Sequence, residues 1–143
     1  MSTARELLAQ TPLLVRRGPY CLAAWGPAQI SAVCQGLLRC RTSHGLVVLD
    51  ELEASALLPE HALLEMPPPR HVERGFALIT LGHAMEWNVT GVLAEVSAAL
   101  AEAGIPLGAA AAFSRDHLFV RVDRLDDALA ALAPLCPEVR VLA

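Results

Sequence analysis

Residues 88–120 read NVTGVLAEVSAALAEAGIPLGAAAAFSRDHLFV, and this stretch decides the fold. Apolar residues recur every three or four positions from Val92 to Leu100, which predicts an amphipathic helix over about residues 90–103. Gly104 is typical of the residue that follows a helix C-terminus. The stretch then predicts three further pieces: a strand at 105–113, a polar turn at 114–117 and a returning strand at 118–122.

The residues on either side complete a βαββαβ order. Residues 76–82 (FALITLG) predict a strand, and residues 83–89 predict the loop that leads into the helix. After the hairpin, Asp123 is a good N-cap for a helix that carries leucines at 125, 129 and 132 on one side. A last strand follows at residues 139–142, so the second half predicts a ferredoxin-like unit.

The first half repeats this order in shorter form. The predicted pieces are a strand at 20–25, a helix at 27–35 that Gly36 stops, strands at 37–41 and 46–50 around a turn at 42–45, a helical piece at 51–58 and a closing strand at 61–66. Residues 13–16 add an edge strand before the Gly18-Pro19 turn. We therefore predict an α+β fold of two ferredoxin-like βαββαβ units packed as a pseudo-dimer. The predicted domains are residues 11–66 and 76–143, joined by a Pro-rich linker at 67–75.

Composition excludes several classes of function. The chain has 143 residues, of which 55% are hydrophobic, and a net charge of −4 with acids and bases interleaved. Because basic residues do not cluster, a nucleic-acid partner is not expected. The absence of lysine excludes a Schiff-base lysine and a phosphate-binding Walker lysine. Residues 18–38 carry no charge, but Pro19 and Pro27 interrupt them, so no membrane segment is predicted. Without a signal peptide, a cytoplasmic location is expected.

Cysteine and histidine spacing indicates neither a metal site nor a cofactor. The cysteines lie in apolar surroundings without a CxxC pair, which is typical of buried, reduced thiols; they are Cys21, Cys34, Cys40 and Cys136. The histidines fall on different predicted elements, without zinc-ligand spacing; they are His44, His61, His71, His83 and His117. Because the chain also lacks a nucleophile elbow and a Gly-rich phosphate motif, an enzyme is not expected.

The loop before the central helix is the best candidate for a binding site. Free backbone N–H groups at Gly91 and Val92 would suit a small anion such as a carboxylate. Asn88 has two interpretations, a hydrogen bond to a ligand or closure of its own turn. Asp116 is either a turn residue or the partner of a ligand cation. Trp87 is either an apolar wall for a ligand or a half-buried packing residue, and packing is favoured.

The second half resembles an ACT domain. The resemblance rests on Thr90-Gly91-Val92-Leu93, on Ala103-Gly104-Ile105 and on the turn Phe113 to Val120 with its Asp116-His117-Leu118. It is similar to the tandem-ACT family related to aspartokinase regulatory domains and the CASTOR arginine sensors. The first half resembles that family less closely, through Arg41-Thr42 and Gly45-Leu46-Val47-Val48.

The resemblance implies an amino-acid ligand bound at an ACT–ACT interface, in a regulatory protein that forms a homodimer and acts on a protein partner. The loop before the helix and the second strand would clasp the ligand, through Asn88, Thr90, Gly91, Val92, Ala111, Ala112, Phe113 and Asp116. This chain has Ala111-Ala112 where the family has a Ser-Thr pair. The alternative interpretation is therefore a protein–protein interaction module whose ligand site has decayed.

Overall fold

The computed structural model describes residues 2–41 and 44–142, so Thr42 and Ser43 of the predicted turn lie outside the described residues. The described residues form two compact units. The first unit comprises residues 18–76, and the second comprises residues 1–17 and 77–143. The elements are α1 (Ala4–Ala9), β1 (Leu13–Trp25), α2 (Ile30–Cys40), β2 (Leu46–Leu49), β3 (Ala54–Pro59), β4 (His71–Leu81), α3 (Val92–Glu102), β5 (Gly108–Ala111), β6 (Asp116–Arg121), α4 (Leu125–Leu132) and β7 (Val139–Leu142).

The second unit has the predicted βαββαβ order, from the end of β4 through α3, β5, β6 and α4 to β7. The beginning of β1 pairs in parallel with β7, in the register Leu13↔Val139. On its other side, β1 neighbours β4, and the Gly82 N–H donates to the Pro12 carbonyl at 2.8 Å. The strand order in this unit is therefore β7-β1-β4-β6-β5.

Helix α3 packs on this sheet through one apolar stripe. Val92, Val96 and Leu100 are buried in the same core as Ile79 of β4. Gly104 follows the helix with a positive φ of 70°, and the Ile105 N–H donates to the Leu100 carbonyl at 2.9 Å. This bond and the Gly104 bond to the Ala101 carbonyl form the Schellman motif that a glycine at this position predicts.

The first unit has the strand order β2-β3-β1-β4. β1 pairs antiparallel with β3, in the register Cys21↔Leu58. Trp25 is fully buried in the core of this unit, and its indole N–H donates to the Pro67 carbonyl at 2.7 Å. A 3₁₀ helix at Glu60–Glu65 stands where the second unit has α4.

Helix α2 is longer than predicted, and its prediction as 27–35 with a strand at 37–41 is wrong. A short 3₁₀ turn covers Pro27–Gln29, and α2 then runs from Ile30 to Cys40. Gly36 does not stop the helix. It is buried, and a Cβ there would lie 2.9 Å from the Glu65 carbonyl oxygen. Glycine at this position permits close packing of the helix, which sequence alone does not distinguish from a helix stop.

Three further predictions about local structure are corrected. Residues 51–58 were predicted as helical, but residues 54–59 form β3, because pairing with β1 outweighs the helix propensity of Ala and Leu. Residues 61–66 were predicted as a strand and lie mainly in the 3₁₀ helix. Residues 71–75 were predicted as linker and belong to β4. The α+β class is confirmed, with ferredoxin-like βαββαβ units.

Candidate functional site

A cavity of about 430 Å³ opens in the second unit beside the N-terminus of α3. Three segments surround it: the loop at residues 83–89, the first turn of α3, and the β5–β6 hairpin at residues 111–116. Small-molecule sites are typically about 300–1,000 Å³, so the cavity is large enough for a small ligand.

Two hydrogen bonds hold the loop against the hairpin. The Met85 N–H donates to the Ser114 carbonyl, and the Arg115 Nε donates to the Gly82 carbonyl, each at 3.3 Å. Within the hairpin, the Ala112 N–H donates to the Arg115 carbonyl at 3.0 Å. These bonds fix the two segments that form the walls of the cavity.

The N-terminus of α3 presents backbone N–H groups to the cavity. Gly91 is the N-cap, with a φ of 92°, and α3 has no side-chain cap. The first helical bond runs from the Glu95 N–H to the Gly91 carbonyl at 3.0 Å. The N–H groups of the preceding residues 92–94 therefore have no helical acceptor, and all three residues line the cavity. The partial positive charge at this end favours a negatively charged group.

The cavity floor is apolar and the rim carries charges. Leu81 and Val92 are buried at the floor, and Met85 and Val89 pack beside them against the core. Four titratable side chains also line the cavity: His83, Glu86, Arg115 and Asp116. His83, Glu86 and Arg115 are exposed and Asp116 is half-buried, whereas the buried lining residues Leu81 and Val92 carry no charge.

The structure brings six of the eight predicted ligand residues to this cavity, and their role in binding stays a prediction. They are Gly91, Val92, Ala111, Ala112, Phe113 and Asp116. Asn88 and Thr90 line a neighbouring cavity of about 710 Å³ instead, between the loop and the N-terminus of α1. An ion pair between Arg5 and Glu95, at 3.0 Å, joins α1 to α3.

Sequence reasoning missed several residues of the cavity. Trp87 lines it but is 99% exposed, so the prediction of half-buried packing is wrong. The sequence pattern does not single out Met85 or Arg115 as site residues, although each makes one of the bonds that join the walls. The only signal for Arg115 was its position between Ser114 and Asp116 in the predicted turn. No signal pointed to Met85, because its role depends on a hairpin some thirty residues away along the chain.

His117 lies next to the cavity but not in its lining. Its Nδ1 is 2.8 Å from the hydroxyl oxygen of Thr80, which is itself buried. Burial lowers the pKa of His117 below 6.5, and the charge of Arg16 lowers it further, whereas Asp116 opposes both effects. His117 is therefore neutral at physiological pH.

The two buried cysteines, Cys21 and Cys136, are not reactive thiols. Burial raises the pKa of Cys21 and of Cys136 to about 11, so both thiols are protonated at neutral pH. Cys34 is exposed and Cys40 is half-buried, which corrects the expectation that all four thiols are buried. Among residues 2–41 and 44–142, His, Cys, Asp and Glu side chains form no group of three that could hold a metal. No helix in the described part of the chain has the length and apolar character needed to span a membrane.

One family model matches part of the chain. Residues 71–134 match the family model described as the ACT domain. No curated protein matches the chain.

Solved structures share the fold at low sequence identity. Protein Atu0741 from Agobacterium tumefaciens is 20% identical, with a TM-score of 0.75 over 93% of this chain and 94% of that chain. Protein VC0802 from Vibrio cholerae is 23% identical, with a TM-score of 0.63 over 90% and 93%. The ligand-free regulatory subunit of aspartate kinase from Thermus thermophilus is 13% identical, with a TM-score of 0.67 over 90% and 98%. Residues 71–134 are therefore similar to the ACT domain, and the solved structures show that the chain shares the ferredoxin-like fold of the aspartate kinase regulatory subunit.

Proposed function

We propose that this protein is a non-enzymatic sensor that binds a free amino acid in the cavity beside α3. One observation carries the proposal. An uncapped helix N-terminus and a carboxylate, Asp116, line the same cavity, in a domain whose family model is the ACT domain. A free amino acid carries the two complementary charges, a carboxylate and an ammonium group.

The ligand carboxylate accepts hydrogen bonds from the N–H groups of Val92 and Leu93. These groups have no helical acceptor, and the helix end favours an anion there. The ligand ammonium lies near the Asp116 carboxylate and donates to backbone carbonyls of residues 111–113. Charge-assisted hydrogen bonds of this kind are roughly twice as strong as neutral ones.

We further propose that both units are ACT-type, in a tandem arrangement, because the first unit has the ferredoxin-like strand order β2-β3-β1-β4. We also propose that the protein forms a homodimer, with the ligand at an ACT–ACT interface. Ligand binding would then change the packing of the interface, and a protein partner would respond to that change.

A thermal-shift screen of the twenty amino acids tests the proposal. A ligand at 100 times its dissociation constant stabilises the native state by about 2.7 kcal/mol, which a melting curve resolves easily. Asp116→Asn should abolish the shift, and Asp126→Asn, an exposed carboxylate on α4, should leave it unchanged. If no amino acid raises the melting temperature of the unmodified protein, the sensor proposal is wrong.

One observation favours a second function, a protein–protein interaction module. Phe113 and Trp87 are fully exposed, and Ala111-Ala112 offer no hydroxyl to a ligand. Exposed aromatic side chains are enriched at protein interfaces. Two results together would support this function instead. No amino acid would raise the melting temperature, and light scattering at high protein concentration would detect a stable complex.

A further inference from the structure

We propose that the ligand of this cavity is an amino acid with a large apolar, preferably aromatic, side chain, which Trp87 and Phe113 cover. This inference rests on the proposed function and specifies its ligand. Both aromatic residues are fully exposed, at 99% for Trp87 and 104% for Phe113. The chain has six aromatic residues, so two fully exposed rings at one cavity are a large share of its aromatic surface.

The two rings stand on the two walls of the cavity. Trp87 belongs to the loop and Phe113 to the hairpin, and both line the cavity. The bond between the Met85 N–H and the Ser114 carbonyl keeps these segments together. An aromatic ligand ring between them would bury apolar surface of both side chains. Aromatic pairs also gain about 0.5–1.5 kcal/mol beyond the burial of area.

The floor of the cavity supports the same ligand class. Leu81 is buried there, and Met85 and Val89 are half-buried beside it. A ligand side chain that points to this floor meets apolar surface. A charged side chain would lose its hydration at the floor without gaining a partner there, because Leu81, Met85 and Val89 carry no charge.

The small residues at the end of β5 and in the turn after it leave room for such a side chain. Ala111 and Ala112 line the cavity at the start of the hairpin, where they project only methyl groups. They provide apolar contact and no hydroxyl to hold a polar ligand group. The presence of Ala111-Ala112 instead of a Ser-Thr pair therefore disfavours a polar ligand group and favours an apolar one.

Isothermal titration calorimetry of the full chain with phenylalanine, alanine, lysine and aspartate tests the inference. Phenylalanine should bind about tenfold more tightly than alanine, the gain expected for covering a ring. Trp87→Ala with Phe113→Ala should remove this preference, so that phenylalanine and alanine bind with similar affinities. Leu64→Ala provides a matched control, because Leu64 is an exposed apolar side chain of the first unit.

Tryptophan emission gives a second measurement. Trp25 is buried and should keep its emission, whereas Trp87 should shift to shorter wavelength when phenylalanine covers it. Tighter binding of lysine or aspartate would overturn the apolar ligand class but leave the sensor proposal standing. No binding of any amino acid would overturn the sensor proposal itself. If the double variant instead converts a dimer to a monomer and keeps the phenylalanine preference, the rings cover a second copy of the chain and the inference is wrong.

Discussion

Replacing Gly36 by alanine sets two physical effects against each other. In an exposed helix interior, Gly→Ala stabilises by about 1 kcal/mol, because alanine has the higher helix propensity. Gly36, however, is buried in α2, and its added Cβ would collide with the Met66 Sδ. The Cβ would also lie 2.9 Å from the Glu65 carbonyl oxygen, which belongs to the backbone and cannot rotate away.

Steric overpacking should decide the sign of the change. Overpacking a core typically costs about 1–3 kcal/mol, and the rigid carbonyl puts Gly36 toward the upper part of that range. After the propensity gain is subtracted, Gly36→Ala should lower the free energy of unfolding by about 1–2 kcal/mol. Adding Met66→Ala should relieve only the sulfur contact, so the two substitutions should not be additive.

Urea unfolding followed by Trp25 emission measures this change, because Trp25 is buried in the same unit. Gln35→Gly is the matched control on the exposed face of α2, where propensity alone acts. It should lower the free energy of unfolding by about 0.5–1 kcal/mol. A Gly36→Ala protein more stable than the unmodified one would refute the packing argument and make Gly36 an ordinary helix residue.

Two other predictions concern the second unit. Gly91→Ala should lower the free energy of unfolding by about 1–2 kcal/mol, because Gly91 has a φ of 92° although its surroundings are open. Gly91→Asn should lower the free energy of unfolding by less, because Asn tolerates a positive φ better than Ala. Equal decreases for the two variants in urea titrations would contradict the explanation by φ. The second concerns His117, whose lowered pKa means that the unfolded state binds the proton more readily. Its contribution to stability is therefore present above pH 6.5 and lost as the pH falls through the folded-state pKa. His117→Gln should flatten the stability profile between about pH 8 and pH 5, and an unchanged slope would show that other groups cause it.

The second unit was predictable because its signals are local. Gly104 marks the end of α3, and the spacing of Val92, Val96 and Leu100 marks its buried face. Each signal concerns residues within one or two turns of one another. The structure places these residues as the pattern predicts.

The first unit was less predictable because its decisive contacts are long-range. The role of Gly36 depends on Met66, thirty residues later. Residues 54–58 have a composition typical of a helix and become a strand only through their pairing with β1. Local propensity carries no information about either contact.

The candidate site was predictable in part for the same reason. Gly91 and Asp116 were found through their own neighbourhoods in the sequence. Trp87 and Met85 were not, because their positions follow from bonds between the loop and the hairpin. Exposure also cannot be predicted for a tryptophan in an apolar-rich chain, where burial is the usual outcome.

The parallel pairing of β1 with β7 has a consequence for the order in which the protein forms. Residues 13–16 are synthesised more than a hundred residues before their partners at residues 139–142. Until β7 has been synthesised, the N–H and carbonyl groups at this edge of β1 lack their native partners. They can therefore pair with other strands. The second unit can close only after residues 139–142 have been synthesised, even though its helices can form earlier.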